Sequence, residues 1–346
     1  MERHHPRREP EARLKLFSLV WGYRLSQAIH VAAHLGIPDL LADGALSAEA
    51  LAAATDTHAP SLHRVLRALA GAGILDEVEA RRFRLTAMGQ PLRSNVGGSI
   101  RAAVLMLLSE WNWEPWAHLE HTVRTGETAF SRVHGMPVFD YLSANPQAAA
   151  SFDAAMGNLS AMQADCVAGA CDLSAARAIM DVGGGRGTLL ASLLRRYPGA
   201  AGLLFDVPHV AREARAALER EGMGGRCRIV GGNFFERLPE GADACVLRDI
   251  LHDWDDEHAL LILKNCRAAL PGQGRLLLVE RLVAADAREA LPTLLADLEM
   301  LVNIGGRERS EEELRCLLLR AGFRWERCTD LGTGSQHRLV EALASE

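Results

Sequence analysis

The chain has 346 residues, 49% of them hydrophobic and 24% charged, with a net charge of −6. That length suits about two domains, each able to bury a core, and the acidic balance gives no general attraction for nucleic acid. No apolar run approaches the roughly 20 residues that cross a bilayer. The opening Met1-Glu-Arg-His-His-Pro-Arg-Arg-Glu-Pro has no apolar stretch behind it, so a cytoplasmic protein with no secretory signal and no membrane partner is expected. The seven cysteines (166, 171, 227, 245, 266, 316 and 328) form no C-x-x-C pair, so free thiols are expected rather than disulfides or a zinc site.

Residues 12–100 read as mostly helical. Apolar residues at helical spacing predict one helix over Leu16 to Leu35, stopped by Gly36-Ile-Pro38. A helix follows over 46–54 with Ser47 as N-cap, then another over 59–69 ending at Gly71 and Gly73. The stretches 74–78 and 82–86 predict a small hairpin, which completes a winged-helix outline. Such an outline can read DNA, but the hairpin offsets Arg81, Arg82 and Arg84 with Asp76, Glu77 and Glu79, so a packing or dimerisation module is the better reading.

Residues 100–170 are again helical, with tryptophans 111, 113 and 116 clustered and turns at 124–126 and 134–137. From residue 175 the pattern changes. Strands over 178–182, 202–206, 228–231, 244–247 and 275–280 alternate with helices over 188–196, 208–221 and 255–270. That alternation predicts an α/β, Rossmann-like, doubly wound parallel sheet.

Three stretches carry chemistry. Asp181-Val-Gly-Gly-Gly-Arg-Gly-Thr188 joins a strand to a helix, and glycines 183, 185 and 187 let the backbone approach a ligand closely. A dehydrogenase fingerprint would place glycine at Thr188, so the loop suits a nucleoside with an amino-acid tail better than a pyrophosphate. Asp206 ends the next strand nineteen residues after Gly187, the spacing of an acid that accepts from ribose hydroxyls. Leu247-Arg-Asp-Ile-Leu-His-Asp-Trp-Asp-Asp-Glu257 follows a strand, which puts His252 at the carboxyl edge of the sheet, where such folds bind ligands. Asp253, Asp255, Asp256 and Glu257 are expected to cap the helix behind it.

With Phe205-Asp-Val-Pro-His-Val210 and Gly305-Gly-Arg-Glu-Arg309, these stretches resemble the S-adenosylmethionine-dependent O-methyltransferases of plant caffeate and chalcone metabolism and of bacterial phenazine and polyketide metabolism. The resemblance covers nearly the whole chain. It implies a homodimer, with residues 1–100 as a winged-helix-like dimerisation domain. Residues 101–346 would bind S-adenosylmethionine, with helices over 101–170 contributing to the substrate pocket. For the cofactor it implies Ser160, Asp181, Gly183, Gly185, Asp206, Val207, Asn233, Phe234 and Arg248. For catalysis it implies His252 as base, flanked by Glu280 and Glu308. For a small aromatic or polyketide-like substrate it implies Trp113, Met156, Met300 and Asn303. It implies no metal.

Two positions depart from the family pattern. Asn233 stands where an aspartate usually faces the adenine, though its amide oxygen can still accept a hydrogen bond. Arg248 stands where plant members carry lysine. The rival readings are a family member that binds the cofactor but catalyses a decarboxylation, hydroxylation or pericyclic step, a metal-dependent catechol methyltransferase, and a DNA-binding regulator with a vestigial catalytic half.

Overall fold

The structure, a computed structural model, describes residues 8–332 and 336–345; residues 1–7 of the charged opening segment lie outside them. The chain divides into two compact units, Met1–Glu110 and Trp111–Glu346. No described helix is long and apolar enough to cross a membrane.

In the first unit the helix expected over 16–35 is two, Arg8–Val20 and Gly22–His34, interrupted at Trp21. The break precedes Gly22, whose backbone freedom makes a continuous helix costly there. Ser47 caps the helix Ala48–Ala54 as expected, its hydroxyl accepting from the Ala50 N–H at 3.1 Å. The helix Ala59–Gly71 packs Leu62, Leu66 and Leu69 inward, at helical spacing, against Leu51 and Phe83. Strands β1 (Leu46–Ser47), β2 (Leu75–Glu79) and β3 (Arg82–Leu85) form an antiparallel sheet in the order β1-β3-β2. The first helix leaves Leu14, Leu16, Phe17, Leu19 and Val20 largely exposed on this unit.

The second unit holds a seven-stranded sheet built from β4 (Ala178–Val182), β5 (Ala201–Asp206), β6 (Cys227–Gly231), β7 (Ala244–Arg248), β8 (Arg275–Arg281), β9 (Phe323–Asp330) and β10 (His337–Ala344). Its order is β6-β5-β4-β7-β8-β10-β9. The first five strands are parallel, as expected, while β10 runs antiparallel between β8 and β9, so the sheet is mixed. Alternate residues of each strand feed two cores: Leu276 and Leu278 of β8 face one layer of helices, Leu277 and Val279 the other. Full burial of each such leucine or valine is worth about 1.5–3 kcal/mol. The carboxyl ends of the parallel strands open onto one edge, and the three chemical stretches all follow those ends.

Candidate active site

The loop after β4 turns through Gly183 with φ +70°, and its N–H donates to the Phe205 carbonyl at 2.8 Å. That positive φ strains any other residue, and a Cβ at Gly183 would also press on the tip of the Ile250 side chain. The carboxylate of Asp206 then fixes the loop to β5, accepting from the N–H of Gly185 at 2.8 Å and of Val207 at 2.7 Å. Burial raises the pKa of Asp206 despite those two bonds. Asp181 lies beneath the loop, 2% exposed, close enough that a Cβ on Gly184 would sit 2.8 Å from its Cγ. Burial, then the charge of Asp206, push Asp181 up to about 7. Val207 is 41% exposed at the mouth of the loop.

Farther along the edge, Asn233 is exposed, and its amide oxygen accepts locally from the Phe235 N–H at 3.0 Å. One lone pair on that oxygen remains for a ligand. Phe234 packs edge-on to Phe235 and Trp254. Met156 and Ser160 are half-buried on the long helix Pro146–Ala170, on the same face as Gln163.

His252 is 8% exposed in the turn after β7. Its Nδ1–H donates to Glu308 Oε1 at 3.1 Å, which directs Nε2 away from Glu308. Glu308 is held in turn, its N–H donating to Asp297 Oδ1 at 2.7 Å. Glu280 plays a different part: its Oε1 accepts from the N–H groups of Ile250 at 3.2 Å and Leu251 at 2.9 Å, tying down the backbone just before His252. The acids expected to cap the following helix divide. Asp255 does cap, accepting from the His258 N–H, with Asp256 and Glu257 in the first turn. Asp253 does not; it turns back to within 3.4 Å of His252 Nε2.

These charges set the proton affinities. Burial would depress His252, but Asp253, the hydrogen bond to Glu308 and the charge of Glu280 overcome it and raise its pKa to about 10. Burial raises Glu280 to about 7 and Asp253 to about 6, with the nearby His252 opposing both shifts. Asp249, His252 and Glu280 bring donor atoms within 4.8 Å of one another. Asp249, however, already faces the guanidinium groups of Arg248 at 2.8 Å and Arg281 at 3.8 Å and is bonded to His337 at 2.7 Å, so a metal ion would meet two arginine cations on its first ligand.

Two conformational supports were not legible as site residues. Arg309, 4% exposed, donates to the carbonyls of Leu251 and Trp254 and to Asp256, pinning the His252 turn at both ends. Gly306 lets the chain pass over that turn, since a Cβ there would strike the carbonyl oxygen of His252. Asn303 is buried and donates to Glu299 at 2.9 Å, and Glu299 also accepts from Asn112 at 3.0 Å and from the indole of Trp116 at 3.1 Å. It is thus Trp116 that joins this polar knot; Trp113 is half-buried. Met300 opens the π-helical turn Met300–Ile304 that carries Asn303.

Residues 116–324 match the model of an O-methyltransferase domain, and residues 17–94 that of an O-methyltransferase dimerisation domain. The phenazine O-methyltransferase of Lysobacter antibioticus is 41% identical over 327 residues, covering 94% of this chain and 95% of that one. The structure of a mitomycin 7-O-methyltransferase superposes with a TM-score of 0.91 at 37% identity, over 99% of this chain and 100% of that one. An O-methyltransferase of neocarzinostatin biosynthesis, solved with S-adenosylmethionine and 2-hydroxy-5-methyl naphthoic acid, gives 0.79 at 32% identity over 92% and 95% of the two chains. The glycine cradle at Gly183 and the carboxylate of Asp206 beside it fit that cofactor. The chain therefore belongs to the S-adenosylmethionine-dependent O-methyltransferase family of secondary metabolism, with its own dimerisation domain.

Proposed function

We propose that this chain methylates a hydroxyl oxygen on a small aromatic or polyketide-like metabolite, with His252 as general base. The observation that carries the reading is the bond from His252 Nδ1 to Glu308, which leaves Nε2 as the nitrogen that can take a proton. Gly183, Gly185, Asp206, Val207, Asn233, Phe234 and Ser160 would hold the cofactor, with Asp181 supporting the loop from below and Arg248 nearby. Trp113, Met156, Met300 and Asn303 would bound the substrate. Bound S-adenosylmethionine supplies an activated methyl group. The protein's task is then to align the acceptor and relieve it of its proton.

A phenol with pKa about 10 is about one part in a thousand ionised at pH 7. His252, raised to about 10, is matched to such a phenol, so proton transfer between them is nearly thermoneutral. Glu308 fixes the tautomer and stabilises the imidazolium that forms, as the acid does in a Ser-His-Asp triad. Glu280 and Asp253 add negative charge beside it.

The same reading makes the enzyme a homodimer joined through its winged-helix-like N-terminal part, supported by the match to the dimerisation domain and the exposed apolar face of the helix Arg8–Val20. Seven free cysteines suit a reducing compartment, in keeping with the cytoplasm. Mass spectrometry of phenolic and quinone metabolites, incubated with the protein and methyl-labelled cofactor, tests the substrate class. Label on an oxygen supports the reading, and turnover without loss of label from the cofactor contradicts it.

A further inference from the structure

Beside the His252 turn lies a closed ring of four side chains, of which only Arg248 has a place in the proposed cofactor site. Arg248 Nε donates to Gln163 Oε1 at 3.4 Å, and Gln163 Nε2 meets His337 Nδ1 at 3.0 Å. His337 Nε2 meets Asp249 Oδ1 at 2.7 Å, and Arg248 closes the ring on Asp249 Oδ2 at 2.8 Å. The order of donors is forced. Arginine can only donate, so Gln163 presents its oxygen to Arg248 and its NH₂ to His337. His337 Nδ1 must then accept, which places its proton on Nε2, pointing at a carboxylate that can only accept. Gln163 is 4% exposed and His337 1%, so in this ring each buried donor has found an acceptor.

The ring joins three elements far apart in sequence: the helix Pro146–Ala170, the end of β7 and the start of β10. Gln163 lies three residues after Ser160 and seven after Met156, on their face of the helix. Asp249 lies three residues before His252 and is held at φ +52°, a left-handed conformation that costs energy in a non-glycine residue. The ring supplies two of the contacts that hold its side chain there. Around Asp249 stand Arg248 of β7, Arg281 of β8 and His337 of β10; His252 and Glu280 follow within 4.8 Å, with Asp253 and Glu308 beyond on either side of the imidazole.

We propose that the Gln163–His337–Asp249–Arg248 ring is a positioning device that locks the helix carrying Met156 and Ser160 to the turn carrying His252, so that base and methyl donor keep a fixed separation. This deepens the proposed function and rests on its assignment of His252 and Ser160. A bond-making step that needs near-attack geometry loses rate steeply when the partners drift by an ångström.

The test uses the full-length protein, labelled with ¹⁵N at histidine and saturated with S-adenosylhomocysteine. His337 should carry its proton on Nε2; a proton on Nδ1 overturns the ring without any variant being made. Gln163→Leu, which opens two links, should lower kcat tenfold or more with KM changed under threefold, and should move the His252 titration midpoint. Gln163→Glu keeps the acceptor for Arg248 and can accept from a His337 that is protonated on both nitrogens, so kcat should return to within threefold of wild type. Wild-type kcat and an unmoved His252 midpoint in Gln163→Leu, or equal impairment in both variants, overturns the proposal. Full turnover by His252→Ala would instead remove the base assignment, while the His337 tautomer, read without turnover, still decides whether the ring exists.

Discussion

His252 Nδ1 lies 3.1 Å from Glu308 Oε1, whereas Glu280, the other glutamate beside the histidine, uses the same kind of oxygen to accept from the backbone N–H groups of Ile250 and Leu251. The two acids therefore do separate work. Glu308 orients the imidazole; Glu280 shapes the turn that presents it and adds charge. Glu308→Ala should cut kcat by about 10²-fold, within the range that orienting a general base is worth. Glu280→Gln, which keeps an acceptor oxygen for the two N–H groups, should cut it less. Steady-state kinetics on both variants checks this; an equal loss would mean that both acids act through charge alone.

The raised basicity of His252 fixes the sign of the pH dependence. With its pKa at about 10, the proton-accepting form is the minor one at neutrality and grows as pH rises. The kcat/KM should climb about tenfold per pH unit from pH 7 toward 9 for a phenol that is itself un-ionised. Asp253→Asn removes the charge beside Nε2, lowers the pKa of His252 and should move that rising limb to lower pH. A pH–rate profile that is flat above 7 contradicts the assignment.

Asp206 holds the glycine loop after β4 on both carboxylate oxygens, accepting from Gly185 and Val207. Asp206→Ala frees the N–H groups of Gly185 and Val207 and removes a charged acceptor, so affinity for S-adenosylhomocysteine should fall by about 1.5–3 kcal/mol. Calorimetry reads it directly, and unchanged affinity would show that the loop holds its shape and ligand without this acid.

Phe17 and Leu19 are 54% and 71% exposed on the first unit, and both lie in the stretch 17–94 that matches the O-methyltransferase dimerisation domain. Phe17→Glu with Leu19→Glu should shift the protein from dimer to monomer at micromolar concentration in light scattering. A double variant that stays dimeric would place the interface elsewhere.

Much of the second unit was readable because its signals are local. Ala178–Val182 and Thr188–Arg196 fall where alternation and periodicity put them, since a buried parallel strand followed by an amphipathic helix leaves little ambiguity. The last two strands were not readable. Phe323–Asp330 is half polar at the sheet edge, and His337–Ala344, with leucines, alanines and a glutamate, has helix-forming residues that pairing to β8 and β9 overrides. That override matters for the site, because β10 brings His337 to Asp249. Asp253 was hidden by its company: among four neighbouring acids, sequence does not say which one caps and which turns back. Glu299 meets Trp116 and Asn112 more than 180 residues away in sequence, a contact that local spacing does not encode.

Whether His252 takes the acceptor's proton is read from His252→Ala assayed on one ordinary phenol and one markedly acidic phenol. If it does, kcat falls by about 10²–10⁴ on the ordinary phenol and much less on the acidic one, with S-adenosylhomocysteine affinity close to wild type. Full methylation of the ordinary phenol by His252→Ala would contradict that role.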